Sequence, residues 1–340
     1  MNVLRRTGRA ARKATAKDVA QEAGVSKWTV NRAFKSDASI SEESRKRVLE
    51  AAGRLGYRPN LLARSLSTKT TQQVAVLVDD FGNPHKLPLL KALTAALQRE
   101  GLTATLVNID RHTNHIDAIL NADQRQVDAV VLLGTSFRDE MLREHTLRPN
   151  GPPLYVLARE SPLDIVTAIS CDAIRSMREI CEHLWVRGYR RPAFMSGPRT
   201  LSTALGRMRE FEAFWRDHGV APIPELPAGA YERLAAGEAM AGYLSKTAPD
   251  RRADVVMCEN DALAIGAMDV ARFAFGLRSP ADMAFVGYDG IDAAAAPSYD
   301  LTTYEQPIGN MVALLVDMIV GRTKRASVNL EGTLIVRGST

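Results

Sequence analysis

Four residues near the amino terminus combine chemistry with spacing: Lys27, Trp28, Asn31 and Arg32. If residues 26–34 are helical, these positions (i, i+1, i+4 and i+5) share one face, opposite Val30 and Phe34. A guanidinium there can donate a bidentate pair to guanine O6 and N7, a carboxamide can pair with adenine, and an ammonium can reach guanine or phosphate. An indole can press on a thymine methyl or serve as a partly buried packing residue, and spacing leaves both readings of Trp28 open.

The surrounding residues supply the scaffold. Thr15 and Asp18 form the S/T-x-x-D/E pattern that caps a helix, with Val19, Ala20 and Ala23 as its apolar face. Gly24 suits the left-handed position that ends this helix, Val25 can turn inward, and Ser26 caps the next. Two short helices joined by a tight turn predict a helix-turn-helix. A third helix begins at Ser41, with Glu42 and Glu43 in its first turn and Val48, Leu49, Ala52 and Leu55 expected inward. Pro59 holds Arg58 extended. The short stretch NLLARSL (60–66) then resumes helical spacing, with Leu62 and Leu66 on one face. So short a helix needs a partner, either its twin in a dimer or a DNA groove.

Charge divides the chain in the same place. Residues 1–72 carry 16 Lys+Arg and 6 Asp+Glu, which leaves 28 of the chain's 44 Lys+Arg and 33 of its 39 Asp+Glu to residues 73–340. A head of net +10 on a body of net −5 is the footprint of a module that neutralises phosphates. The 340 residues, 46% hydrophobic and 24% charged, have an ordinary soluble globular composition. No apolar signal region or membrane-length apolar run occurs, so a cytoplasmic protein is expected. Cys171, Cys181 and Cys258 lack metal or disulfide spacing and are expected to be reduced core residues.

From Gln73 the pattern alternates buried apolar runs with amphipathic helices. Runs at 74–78, 103–107, 129–133, 154–158, 193–196, 254–258 and 284–288 predict parallel strands of a doubly wound α/β body in two lobes, whose ligand sites follow the strands. Enzymatic signatures are missing: no GxxxxGKS/T, GxGxxG, GxSxG or HExxH. His112 and His115 lack further metal ligands, and Asp79-Asp80 lacks a base or nucleophile, so no catalytic residue, metal or cofactor is expected.

The stretch ATAKDVAQEAGVSKWTVNRAF followed by SEESRKRVLEAAGRLGYRPNLLARSL resembles the DNA-binding head of the lactose-repressor (LacI/GalR) family of bacterial transcriptional regulators. The resemblance implies base reading by Lys27, Trp28 and Arg32, with Thr29 and Asn31 on the same DNA-binding helix. It also implies phosphate contacts from Thr15, Ser26 and Asn60, a dimer contact at Leu62 and a minor-groove wedge at Leu66. Asn31 and Lys35 depart from the family's usual Ser and Asn.

The body carries similar landmarks in order: Asn83-Pro84, Arg159, Asp172, Arg207, Tyr231, Asn260-Asp261, VGYDG around Asp289, LTTYEQP and VRGST. They imply a fold like a periplasmic sugar-binding protein, with an effector between the lobes contacted by His85, Lys86, Arg159, Asp172, Arg207, Tyr231, Asn260 and Asp289. Turn capping is the alternative reading of Asp289, and Asn260 can cap a helix as well as meet a ligand. Lys86, Arg159, Arg175 and Arg207 together suggest an anionic effector, a sugar acid or sugar phosphate; the alternative is that Lys86 and Arg175 point to solvent.

The expected organisation is a basic tail (1–13), a helix-turn-helix domain (14–58), a hinge helix and linker (59–72) and an effector and dimerisation domain (73–340). Lobe 1 is placed at 73–170 and 304–322, and lobe 2 at 171–303 and 323–340. The expected function is a homodimeric repressor on a near-palindromic operator, controlled by a small polar metabolite. An activator of the same architecture is the alternative, ahead of a sugar-binding protein or an enzyme.

Overall fold

The computed structural model describes residues 13–34, 38–59, 70–110, 114–135, 151–199 and 206–340. The chain divides into two units, Met1–Thr71 and Gln72–Thr340. The expected hinge helix falls at residues 60–69, outside the described residues.

In the first unit, α1 (Ala16–Ala23) starts with a reciprocal capping box between Thr15 and Asp18 and ends at Gly24, whose φ of 63° is the left-handed conformation glycine adopts without strain. Helix α2 (Lys27–Ala33) is capped by Ser26, whose hydroxyl accepts the Thr29 N–H at 3.1 Å. Helix α3 (Glu42–Leu55) starts at Ser41 and ends at left-handed Gly56. Val19, Val30, Val48 and small alanines form the core, and Phe34 meets Tyr57 edge-on at 5.8 Å. Leu49 and Leu55, expected inward, are exposed, because Val48, Ala51 and Ala52 occupy the face turned toward α1 and α2.

The second unit holds two six-stranded sheets. The first contains β1 (Gln73–Val78), β2 (Thr103–Asn108), β3 (Ala129–Leu133), β4 (Leu154–Leu157), β5 (Val166–Cys171) and β11 (Val328–Leu330), in the order β11-β5-β4-β3-β1-β2. The second contains β6 (Pro192–Ser196), β7 (Glu225–Pro227), β8 (Val255–Cys258), β9 (Ala284–Asp289), β10 (Thr302–Glu305) and β12 (Thr333–Ile335), in the order β12-β10-β9-β8-β6-β7. One pairing departs from the parallel pattern: β12 runs antiparallel to β10. Helices cover both faces of each sheet, as doubly wound folds require. Leu89 and Leu93 of α4 (Lys86–Arg99) pack with Met311 and Leu315 of α10 (Ile308–Ile319) on one face of the first sheet, and α5 (His115–Gln124) covers the other. Helices α8 (Arg233–Lys246) and α9 (Asp261–Phe275) pack on one face of the second sheet. Helices α6 (Ala173–Val186) and α7 (Arg207–Asp217) pack on the other.

The chain crosses between lobes after β5, after β10 and between β11 and β12. This corrects the expected lobe limits. Tyr304 and Glu305 pair with β9 in the second sheet, and β11 pairs with β5 in the first, so residues 304–305 and 328–330 exchange places. Short segments of mixed polarity beside a crossing can join either sheet, and only the hydrogen-bond ladder decides. All three cysteines are buried and free, and no helix among the described residues is long and apolar enough to cross a membrane.

Candidate functional site

On α2, Val30 and Ala33 turn inward while Lys27, Trp28 and Asn31 are exposed. Trp28 is 66% exposed, which decides against the packing reading. The Arg32 guanidinium lies over the indole, 4.4 Å from the ring centroid, and its Nε and Nη2 donate to the Ser39 carbonyl at 3.0 and 2.7 Å. Thr15 and Ser26 act as capping groups, and their hydroxyls already hydrogen-bond to Asp18 and Thr29. Asn60, Leu62 and Leu66 lie outside the described residues.

In the second unit the carboxyl ends of the strands surround one cleft. Asn83, His85, Lys86, Thr135 and Arg159 line it from the first lobe, and Arg207, Tyr231, Asn260 and Asp289 from the second. Gln306, on the crossing segment after β10, completes the wall. Three non-glycine residues at these strand ends adopt positive φ, namely Asp80 (47°), Ala158 (64°) and Asp289 (112°), the kind of local strain that gathers at binding sites.

Gln306, Asp289 and His85 meet at the centre of the cleft. Gln306 Nε2 donates to Asp289 Oδ1 at 2.7 Å and lies 3.4 Å from His85 Nε2. A carboxamide nitrogen only donates, so His85 Nε2 accepts and its proton sits on Nδ1, 4.0 Å from Asp289 Oδ1. Burial lowers the His85 pKa; Asp289 opposes that and Lys86 and Arg207 reinforce it, so His85 belongs to the wall as a neutral ring. Gln306 Oε1 has no hydrogen-bond partner among the described residues.

Each cation has an internal partner. Lys86 Nζ stands 3.5 Å from Asp79 Oδ1, whose carboxylate fits only because Gly134 has no side chain. Burial, offset by Lys86, pushes the neighbouring Asp80 up to about 6. Arg159 donates to the carbonyls of Gly134 and Glu160 at 3.0 and 2.9 Å. Arg207 begins α7, donates to the Glu259 carbonyl at 2.8 Å and stacks on Tyr288 at 3.6 Å. Burial alone would lower its pKa, yet Tyr288, Asp289 and Glu259 together raise it. Tyr231 occupies space that a side chain on Gly197 would fill.

Two expected members are elsewhere. Asp172 caps α6, accepting the Arg175 N–H at 3.0 Å, and does not line the cleft. Arg175 is half exposed and pairs with Glu179 and Glu331, so it adds no charge to the cleft. Asn260 does both things expected of it, lining the cleft and capping α9 by accepting the Leu263 N–H at 2.9 Å. Gln306 escaped the expected set although it sits in LTTYEQP; the signal was its place just before Pro307, where a strand ends. Asp261, the other half of the Asn260-Asp261 landmark, does not line the cleft. It is fully buried behind Asp289, accepting the Thr303 hydroxyl at 2.5 Å and the Ile291 N–H at 2.9 Å.

Residues 15–60 match the family described as bacterial regulatory proteins, lacI family, and residues 181–340 match the periplasmic binding protein-like domain. The head is a lacI-family domain. Among the chain's relatives, the HTH-type transcriptional repressor CytR of Escherichia coli is 28% identical over 339 residues, covering 96% of both chains. The structure of a transcriptional regulator CelR–cellobiose complex superposes with a TM-score of 0.68 at 27% identity, covering 96% of this chain and all of that one. The lac repressor dimer bound to operator shares the fold, with a TM-score of 0.82 at 22% identity over 96% of this chain and 99% of that one.

Proposed function

We propose that this protein is a lacI-family, operator-binding transcriptional repressor of the cytoplasm, acting as a homodimer whose DNA affinity is set by a hydroxyl-bearing metabolite held between the lobes. The observation that carries the reading is the outward face of α2, where exposed Lys27, Trp28 and Asn31 lie beside a partly exposed Arg32 on a head of net +10. Such a face fits the major groove, and two copies fit a near-palindromic site. Thr15 and Ser26 cap helix starts on the same unit, a position whose polar groups suit phosphate contacts.

The cleft suits binding rather than turnover. Asp289 and the Gln306 Oε1 accept from ligand hydroxyls, and Asn260 and Arg207 donate to them. With Arg175 outside and Lys86 matched by Asp79, four converging cations are not available, so a neutral sugar or sugar-derived effector fits better than an anionic one. A ligand that prefers one lobe arrangement shifts operator affinity through its differential affinity for the two states.

Fluorescence anisotropy of the full-length chain on a duplex from upstream of its own gene tests the reading. Steeply salt-dependent binding is expected, altered by cellobiose or D-ribose more than by D-gluconate. Binding that is indifferent to salt and to Arg32→Ala would overturn the DNA assignment.

A further inference from the structure

The Trp28–Arg32 contact has a geometry more specific than two side chains sharing a face. Arg32 carries five N–H donors, and the Ser39 carbonyl takes one from Nε and one from Nη2. Three remain: the second on Nη2 and both on Nη1. The end-on fork that matches guanine O6 and N7 is therefore still open, while the opposite edge is anchored to backbone and the flat face is held by the indole. A single exposed tryptophan needs no explanation by itself. This one lies outside the head's core, beside exposed Lys27 and Asn31, and packs against a partly exposed arginine that keeps three donors beyond its two bonds to the Ser39 carbonyl.

We propose that Trp28 and Arg32 act as one reading unit, recognising a thymine methyl against the indole and a guanine on the Arg32 fork in each operator half-site. The inference rests on the operator-binding reading and names the bases. Residues four apart are about 6 Å apart along a helix axis. That is roughly two base-pair rises of about 3.4 Å, so the thymine and the guanine lie no more than two base pairs apart. The indole thus has two duties: it excludes water from the methyl, and it limits the rotamers Arg32 would otherwise lose on binding.

Selection of the full-length protein against a random duplex library supplies the probe. The enriched half-site is expected to contain thymine and guanine within two base pairs. In that duplex, replacing the thymine by uracil removes only the methyl and is expected to weaken binding about three- to fivefold per half-site. Trp28→Ala, at an exposed position that leaves the fold intact, is expected to bind the thymine and uracil duplexes equally. It should also lose part of the penalty that 7-deazaguanine imposes on the wild type. An enriched site in which no thymine-to-uracil change matters, or a uracil penalty that survives in Trp28→Ala, overturns the reading unit while leaving operator binding standing. A library that yields no enriched site overturns operator binding itself.

Discussion

Gln306 and Asp289 are joined by a 2.7 Å hydrogen bond between the segment that crosses the lobes and the end of β9. The bond places a buried carboxylate of the second lobe, a neutral His85 of the first and the crossing segment in one network. A ligand competing for Asp289 therefore acts directly on a segment that crosses between the lobes.

Gln306→Leu keeps the volume and removes the donor, leaving Asp289 buried with a lone pair unmet. A loss of about 1–3 kcal/mol in urea unfolding is expected. In a double-mutant cycle with Asp289→Ala, a coupling of roughly 0.5–3 kcal/mol should appear. Strictly additive single effects would show that the bond contributes nothing.

Asp261 gives the stability a pH dependence of known sign. Burial and, after it, the Asp289 charge push its carboxyl up to about 8, against the Thr303, Ile291 and Gly290 hydrogen bonds. The unfolded chain releases that proton near about pH 4. Between those values the folded chain binds the extra proton, so this group's contribution is fully present below the unfolded value. It is lost as pH rises toward 8, at up to about 1.4 kcal/mol per pH unit. Asp261→Asn should flatten the urea-unfolding profile between about pH 5 and 7 relative to wild type; parallel profiles would refute the shift.

Two arginines of the body offer a comparison at fixed chemistry. Arg207 is buried among Glu259, Tyr288 and Asp289, and Arg207→Ala strands those carboxylates, costing about 3–5 kcal/mol. Arg175 is half exposed beside Glu179 and Glu331, and Arg175→Ala should leave the unfolding midpoint nearly unchanged. Equal losses in calorimetry would contradict the placement of one or the other.

The difference between those arginines marks how far the sequence is legible. Helix caps are local, so Thr15, Ser26, Ser41 and Asn260 could be read from neighbouring residues. Long apolar runs such as AVVLL announce buried strands in the same way. Which wall a side chain joins is not local. Asp172 and Asn260 both follow a strand and start a helix, yet only Asn260 lines the cleft, because β5 stands in the first sheet and α6 in the second, and Asp172 is spent at that crossing. Gln306 was legible only as part of a motif, since its partners His85 and Asp289 lie 221 and 17 residues away in the chain.

The same pair of caps supplies the last test. Asp172→Ala and Asn260→Ala each remove a side-chain acceptor from a helix start and should each cost about 1 kcal/mol in urea unfolding. Asp172→Ser and Asn260→Ser retain an N-cap oxygen and should recover most of that loss. Their effects on the cleft should diverge, because Asn260 lines it and Asp172 does not. In calorimetry with cellobiose and D-ribose, Asn260→Ser should still weaken the response even with its cap restored, since the donor carboxamide is gone, whereas both Asp172 variants should match wild type. A weakened sugar response in Asp172→Ser would return that residue to the ligand wall and contradict the arrangement of the first crossing.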